Sequence, residues 1–294
     1  TNLILKVGFE PSDSRVIDIK IKQAAERGAQ VLDLGTAADD LSFLRELAKA
    51  LMEQGKGENL EGYEDLKKSL ENVTVSEKAK ILCDQYLKAK KAMIVYQVNN
   101  LTGDGAKLVG DIALLSGHIG KPRDGVLAVL PKNNSQGLVD LGITAGAEAL
   151  EGVKALVVFG ENAPIDTDAL EFLAVCDTHL TELGEKADVF VPGTGFASTN
   201  GTFTNTERRL QAVEAAIDEG LLLSNWEVAQ EIAHIFEVET PWEDTDDISD
   251  EMCDTEPLYK YSIMDEVRGG VLAPVDPKLV AVPDNERTAR FVSA

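Results

Sequence analysis

Short apolar runs separated by amphipathic stretches dominate the first half of the chain. The runs span residues 3–7, 30–34, 92–98 and 126–130, and they are too short for helices, so they predict buried parallel strands. Between them, apolar residues recur at helical spacing. The two clearest helical stripes are Ile17, Ile21, Ala24 and Ala25, and Leu44, Leu47, Ala48 and Leu51. The alternation predicts an α/β architecture with mostly parallel sheets.

Capping residues predict where the helices of this half begin. The candidate start residues are, in chain order, Ser12 or Asp13, Asp39 or Asp40, Ser76 and Asp104. Gly28 and Gly117 are the expected stop signals of the first and last of these helices. Each helix therefore lies between two predicted strands, as in a βαβ unit.

The second half repeats the pattern with apolar runs at residues 155–159, 174–177 and 188–191. These runs end at Gly160, Asp177 and Pro192. Parallel strands place their carboxyl ends at one edge, so the three ends are expected to converge on one rim, where open α/β sheets bind ligands. A last helix starts at Ser224 or Asn225. Its expected inward residues are Trp226, Ala229, Ile232, Ala233 and Phe236.

Five elements of this half follow one another in a specific order. They are FGEN at 159–162, a strand ending in Asp177, the pair Thr181-Glu182, ADVFVP at 187–192 and GTFTNTERR at 201–209. Together they resemble the molybdopterin oxidoreductase superfamily, which includes formate dehydrogenases and the large iron–sulfur subunit of respiratory complex I. The pattern is closest to the molybdopterin-like C-terminal region of that complex I subunit, and the resemblance covers residues 1 to about 236.

The resemblance and the periodicity together imply two Rossmann-like units with mostly parallel sheets and an irregular acidic C-terminal tail. We expect the first α/β unit at residues 1–150, the second at 151–236, and an acidic linker with an irregular segment at 237–294. In residues 237–256, ten of twenty positions are acidic and none is basic, a composition typical of a solvated linker.

Catalytic members of the family hold molybdenum or tungsten between two pterin dithiolenes, whose guanine dinucleotide tails reach the strand ends of the α/β units. By resemblance, the cofactor-binding positions are Gly8, Asp33, Gly160, Asn162, Asp177 and Thr181. Asp177 is the best retained of these. From the residues alone, glycines at strand ends make turns, and Asp177 or Thr181 caps a helix.

Three departures from the family pattern favour a chain without chemistry of its own. Glu10 stands where the family has an Asn, which sets a carboxylate beside an anionic cofactor tail. The segment ending in Gly35 lacks the Arg of the family's D-P-R motif. Leu130 occupies the position of an active-site Arg in formate dehydrogenases, before Asn133–Gly137, which resembles the family's N-N-x-Q-G. We therefore expect no bound cofactor, no catalytic residue and no metal ligand in this chain.

Charge and cysteine spacing narrow the function further. The net charge of −23 argues against nucleic acid and anionic membranes as partners. Cys83, Cys176 and Cys253 form no C-x-x-C pair, so the chain has no sequence-local ligand set for an iron–sulfur cluster or zinc. No apolar run reaches membrane-spanning length. We expect a cytoplasmic chain that starts upstream of Thr1 and reaches a membrane only through partner subunits.

These observations lead to one main functional expectation and two alternatives. The main one is a non-catalytic scaffold in a multi-subunit, NADH-linked iron–sulfur and flavin electron-transfer complex. The first alternative is the part of a molybdenum or tungsten formate dehydrogenase that binds bis(molybdopterin guanine dinucleotide), with Asn162, Asp177 and Thr181 on the nucleotide. The second is a regulatory site in which Gly8, Asp33 and Asp177 bind another nucleotide.

Overall fold

The computed structural model describes residues 1–35, 41–143, 147–220, 222–256, 258–259 and 279. The strands are β1 (Leu3–Val7), β2 (Gln30–Asp33), β3 (Ala92–Gln97), β4 (Gly125–Val129), β5 (Ala155–Phe159), β6 (Phe172–Asp177), β7 (Val189–Pro192), β8 (Gly201–Thr204) and β9 (Leu210–Val213). The helices are α1 (Arg15–Glu26), α2 (Ser42–Glu53), α3 (Tyr63–Ser69), α4 (Glu77–Lys88), α5 (Gly103–Ser116), α6 (Ser135–Asp140), α7 (Asn225–Ile235) and α8 (Thr245–Thr255). The predicted α/β class with mostly parallel sheets is confirmed.

The described residues fall into two compact units. The first unit comprises residues 1–132 and 279, and the second comprises residues 133–259. Leu279 joins the first unit through its backbone N–H, which donates to the Glu61 carbonyl oxygen at 2.8 Å. The two units divide after residue 132, earlier in the chain than the expected limit at 150, and the domain limits at 150 and 236 remain a proposal.

The first unit contains a four-stranded parallel sheet in the order β2-β1-β3-β4. Leu5 pairs in register with Leu32 on one side and Ile94 on the other. The chain runs outward from β1 to β2 and then returns to β3 on the opposite side of β1. The carboxyl ends of β1 and β3 therefore flank the reversal point at which such sheets bind ligands.

Both faces of this sheet are covered, as parallel strands require. Leu3, Leu5 and Val7 point into one core with residues of α2, α4 and α5, and Leu5 is fully buried. On the other face, Ile4 packs with Ile21 of α1. Of the stripe predicted for α1, Ile17, Ile21 and Ala24 pack on this face, whereas Ala25 is exposed, so its predicted inward position is wrong.

Helix starts follow the predicted caps only in part. Ser76 caps α4, because its hydroxyl oxygen accepts the Ala79 N–H. The N-cap of α1 is Ser14 rather than Ser12 or Asp13, and its side chain makes no capping hydrogen bond. For α5 the cap is Thr102, two residues before the predicted Asp104. The candidate caps at positions 39 and 40 lie outside the described residues.

The second unit contains a three-stranded parallel sheet in the order β5-β6-β7. Phe159 pairs with Cys176, and Cys176 with Val191, so the three strand ends lie at one edge as predicted. One face of the sheet packs Leu173 and Val175 against Leu183. The motif at 201–209 forms β8 and the turn into β9, which pair as an antiparallel hairpin.

The acidic segment differs from the expected linker because it contains α8. Asp244 caps this helix by accepting the N–H groups of Asp246 and Asp247, and carboxylates near a helix N-terminus interact favourably with its dipole. In α7, Ser224 is the cap, as predicted. Phe236 lies beyond the last turn of α7 and is 75% exposed, and Ala229 is exposed too, so the predicted inward positions of these two residues are wrong. No helix in the described part of the chain has the length and apolar character to cross a membrane.

Candidate functional site

Gly8 stands at the reversal point of the first sheet in a conformation that favours glycine. Its φ is +56°, and its N–H donates to the Gly35 carbonyl oxygen at 2.8 Å. The Asn100 side-chain amide donates to the Gly8 carbonyl oxygen at 3.0 Å. A Cβ at Gly8 would lie 2.8 Å from the Asn100 carbonyl oxygen. The backbone here leaves no room for a side chain, and the adjoining cavity holds only about 30 Å³.

Asp33, at the end of β2, is held by the neighbouring strand. Its Oδ2 lies 2.6 Å from Nζ of Lys6, which pairs with it in register, and its Oδ1 accepts the Gly35 N–H at 3.0 Å. Burial acts to raise the pKa of Asp33, but the hydrogen bonds from Lys6 and Gly35 and the Lys6 charge lower it below its ordinary value. Both carboxylate oxygens are therefore already engaged by the chain.

Gln97 connects three segments at the same edge, and the sequence did not single it out. Its Oε1 accepts the Glu10 N–H at 3.0 Å, and its amide donates to the Asp13 carboxylate at 3.1 Å. The Asn100 amide also approaches Oε1, at 3.4 Å. Gln97 is buried, and a buried amide needs such partners. The only available signal was its position at the end of β3.

The second unit presents a rim at the ends of β5 and β6. Gly160, with φ of +60°, donates its N–H to the Cys176 carbonyl oxygen at 2.8 Å. Oδ1 of Asp177 accepts from the backbone and hydroxyl of Thr178 at 2.6 and 3.3 Å. Within the described part of the chain, no hydrogen bond or ion pair engages Oδ2 of Asp177. That oxygen is an available acceptor.

Asn162 and Thr181 complete this rim as donors. Oδ1 of Asn162 accepts the Leu183 N–H at 3.2 Å, and Oγ1 of Thr181 accepts the Gly184 N–H at 3.1 Å. The Thr181 bond is a local turn before the short 3-10 helix Gly184–Lys186, whose N-cap is Leu183 and has no side-chain capping bond. Both oxygens are used for local structure, which leaves the Asn162 NH₂ group and the Thr181 hydroxyl hydrogen to donate.

Cys176 lies beside this rim and is structural. Its thiol approaches Oδ1 of Asn225 at 3.6 Å, and a Cβ at Gly193 would lie 2.9 Å from its sulfur. Burial, with the nearby charge of Asp177, raises the pKa of Cys176. A thiol with a raised pKa is a poor nucleophile and a poor metal ligand at neutral pH.

A buried carboxylate joins two motifs that the sequence presented separately. Asp140, at the end of α6, accepts hydrogen bonds from Gln136 at 2.8 Å, Arg208 at 2.7 Å and Tyr259 at 3.3 Å. Its side chain is 6% exposed. Gln136 belongs to the N-N-x-Q-G segment, and Arg208 belongs to the 201–209 motif. Because these partners are far apart in sequence, no local pattern points to Asp140 or Tyr259.

The six predicted site residues therefore divide between the units. Gly8 and Asp33 lie at adjacent strand ends of the first unit, where hydrogen bonds within the chain engage them. The other four, Gly160, Asn162, Asp177 and Thr181, share the rim of the second unit. Guanine offers N–H donors and carbonyl and nitrogen acceptors, so a free carboxylate oxygen beside free amide and hydroxyl donors suits it.

Comparisons with known proteins identify the family of this chain. A family model described as molybdopterin oxidoreductase matches residues 1–234. The chain is 30% identical over 232 residues to F420-dependent formate dehydrogenase 1 subunit alpha of Methanococcus maripaludis, covering 58% of this chain and 34% of the relative. The corresponding subunit of Methanocaldococcus jannaschii is 29% identical over 238 residues, covering 59% and 35%.

A bacterial relative matches more of the chain at lower identity. Formate dehydrogenase H of Escherichia coli is 23% identical over 343 aligned positions, covering 86% of this chain and 47% of that protein. The chain spans about a third of the length of the archaeal relatives and just under half of the bacterial one.

The expectation that this chain has no cofactor is wrong. The family match and the formate dehydrogenase relatives point instead to a molybdopterin cofactor. They also support the formate dehydrogenase alternative better than the scaffold. The error has a physical origin. The departures at Glu10, Gly35 and Leu130 all lie in the first unit, whereas the second unit keeps its acceptor and donors at the strand ends.

Proposed function

This chain belongs to the molybdopterin oxidoreductase family, and we propose that it is a part of a molybdenum- or tungsten-dependent formate dehydrogenase that binds bis(molybdopterin guanine dinucleotide). The second-unit rim carries this proposal, because it leaves an acceptor on Asp177 and donors on Asn162 and Thr181. The names of the relatives supply the substrate class.

The chain's own residues would hold the nucleotide end of the cofactor. Gly160 would bring backbone without a side chain close to the tail. Asp177 would accept N–H groups of the base or hydroxyls of the ribose, and Asn162 and Thr181 would donate to oxygen atoms of the nucleotide. When bound, the cofactor supplies the metal centre at which formate loses a proton and two electrons to give carbon dioxide. The rim fixes the position of the tail rather than reacting itself.

We propose that residues other than Leu130 orient the substrate. A leucine offers no positive charge or hydrogen-bond donor to a small carboxylate. Because the chain spans about a third of the length of its archaeal relatives, we propose that further polypeptide completes the active site. The archaeal relatives are named alpha subunits, and we propose partner subunits here as well, to carry the electrons away.

The test is the cofactor content of purified protein from cells supplied with molybdate and tungstate. We expect near-stoichiometric molybdenum or tungsten, and pterin and guanine nucleotide in a denaturing extract. Asp177→Ala should lower the guanine nucleotide content, because it removes the free acceptor. Asp166→Ala, at an exposed carboxylate elsewhere in the second unit, is the control and should leave it unchanged. Protein without metal, pterin and nucleotide would support the scaffold alternative instead.

A further inference from the structure

A cleft of about 540 Å³ lies beside the first turns of α7 and α8 in the second unit. Its other walls are the loop after β7 and the loop after β9. Hydrogen bonds tie these two loops together, from the Ala216 N–H to the Ala197 carbonyl oxygen at 2.8 Å and from the Gly195 N–H to Glu219 at 3.1 Å. These hydrogen bonds hold the two loops that form the other walls of the cleft.

Four carboxylates line the cleft, and each uses one oxygen for local structure. Asp218 accepts the Gly220 N–H, and Glu219 accepts the Gly195 N–H. Glu227 accepts the Ser224 N–H, and Asp244 accepts the N–H groups of Asp246 and Asp247. Hydrogen bonds and ion pairs within the described chain leave the second oxygen of each unengaged. No Lys or Arg is among the described residues that line the cleft. The cleft therefore presents unbalanced negative charge.

The sequence around the cleft strengthens this imbalance. From Leu210 to Glu256 there is no Lys or Arg, and fifteen residues are acidic. They are Glu214, Asp218, Glu219, Glu227, Glu231, Glu237, Glu239, Glu243, Asp244, Asp246, Asp247, Asp250, Glu251, Asp254 and Glu256. A surface of one charge sign attracts an oppositely charged partner and raises its association rate.

The geometry excludes two simpler ligands. An anion could use the N-termini of α7 and α8, but the Ser224–Glu227 capping box and Asp244 already occupy amides of these first turns. A single metal ion needs several ligands at one point, and no three His, Cys, Asp or Glu residues of the described chain are arranged to hold one. The separated carboxylates suit a ligand with several separated positive charges.

Exposed apolar side chains also belong to the cleft. Ile217 and Leu222 line it and are 55% and 38% exposed, and Leu223, which follows Leu222 in the chain, is 40% exposed. Trp226 also lines the cleft. Exposed apolar side chains around a pocket mark protein-binding surfaces, and an indole face attracts Lys and Arg side chains.

We propose that this cleft docks a basic peptide segment of a partner polypeptide, which places Lys or Arg among the four carboxylates and an apolar side chain against Ile217 and Leu222. Charge complementarity selects this occupant over a second copy of the same acidic chain. The proposal does not depend on cofactor binding in the rim at Asp177.

The test uses the whole chain and a fluorescently labelled synthetic peptide of Arg, Lys and Leu, followed by anisotropy. The double variant Asp218→Asn with Glu219→Gln removes two charges but keeps an acceptor oxygen for Gly220 and Gly195. It should weaken binding by about three- to tenfold, as expected for two partly exposed ion pairs. Ile217→Ser should also weaken binding, and added salt should weaken it in all variants with both carboxylates.

The matched control is Asp166→Asn with Glu185→Gln, two exposed carboxylates of the same unit. Asp166 makes the same kind of turn as Asp218, by accepting the Asp168 N–H, and the control should bind as tightly as the unsubstituted chain. Equal losses in both double variants, or no effect of Ile217→Ser, would show general attraction to an acidic protein and overturn the proposal. Absence of saturable binding, or dimerisation through this face in size-exclusion chromatography, would overturn it as well.

Discussion

At the residue scale, backbone conformation decides which positions can approach a ligand. Gly8 and Gly160 both have positive φ at the ends of strands, but their surroundings differ. At Gly8 an added Cβ would meet the Asn100 carbonyl oxygen at 2.8 Å, whereas at Gly160 the nearest atom is 3.9 Å away. The chain's own backbone therefore fills the space beside Gly8 at the end of β1, whereas the space beside Gly160 at the end of β5 is open.

Replacing Gly8 by Ala should lower the free energy of unfolding by about 2–4 kcal/mol, because left-handed strain adds to a clash with backbone. Urea denaturation followed by circular dichroism measures this. Gly28→Ala shares the positive φ, at +93°, but has open space around the new Cβ, so it should cost about 1 kcal/mol. Gly110→Ala, inside α5 without a neighbouring atom within 4 Å, should be neutral or stabilising. Equal costs at Gly8 and Gly28 would show that the clash relaxes.

A second residue-scale prediction concerns acid stability. Asp124 is buried and accepts the Ala92 N–H at 2.8 Å and lies 2.7 Å from Nδ1 of His118. Burial acts to raise its pKa, but these hydrogen bonds and the charges of His118 and Lys121 lower it below the ordinary value. A carboxyl group with a lowered pKa stabilises the fold above its unfolded pKa of about 4 and loses that contribution as the pH falls through its folded value.

Asp124→Asn should therefore destabilise the protein by about 1–3 kcal/mol at neutral pH, and the difference from the unsubstituted chain should shrink below about pH 4. Urea unfolding at a series of pH values measures that difference. Asp65→Asn, in the first turn of α3, is the control at a solvent-exposed carboxylate. A difference that stays constant through the acid range would contradict the prediction.

At the element scale, the two serine N-caps show how similar sequence signals produce different structures. Ser224 forms a complete capping box with Glu227, with both the backbone and the hydroxyl of Ser224 donating to Oε2 at 2.7 Å. Ser14 stands at the same position of α1 but makes no side-chain capping bond. The residue three positions after the cap is the difference, because α1 has the apolar Ile17 where α7 has Glu227.

Ser224→Ala should lower the free energy of unfolding by about 0.5–2 kcal/mol, because it removes the hydroxyl of the box. Ser14→Ala should change it by less than about 0.5 kcal/mol. Thermal or urea unfolding of both variants gives the comparison. A similar cost at the two positions would mean that the capping box contributes nothing beyond the residue type.

At the scale of the whole molecule, charge opposes compactness. The chain carries 51 acidic and 28 basic residues, a net charge of −23, and the segment from Leu210 to Glu256 concentrates the excess. Like charges gathered on one unit repel one another and destabilise its folded state. The same charge that suits a basic partner therefore lowers the stability of the isolated chain.

Added sodium chloride should raise the melting temperature of the isolated chain, because salt screens this repulsion over about 10 Å at 0.1 M. Differential scanning calorimetry at increasing salt measures the shift. The Asp218→Asn and Glu219→Gln double variant should show a smaller salt dependence, and Asp65→Asn in the first unit should retain most of it. A melting temperature that falls with salt would indicate that attractive ion pairs dominate.

How much was predictable depends on the range of the interactions. The strands of both sheets follow from short apolar runs, and the candidate site residues follow from the resemblance of short motifs to the family. Both signals are local. The sequence did not reveal the Lys6–Asp33 pair or the Gln97 contacts, because strand register and side-chain direction depend on neighbours from distant segments. The same holds for Asp140, whose partner Tyr259 lies 119 positions away.

The sequence by itself determined the α/β class, the edge at which the strands of each sheet end, and the family pattern at 159–209. Hydrophobic periodicity and turn residues act within a few positions, so they are visible without a structure. Only the tertiary structure decided that Asp33 is already engaged by Lys6 while Asp177 keeps a free oxygen, and that the acidic segment forms α8 beside a cleft. These outcomes depend on which hydrogen-bonding groups folding brings together, and burial requires such groups to be paired wherever they meet.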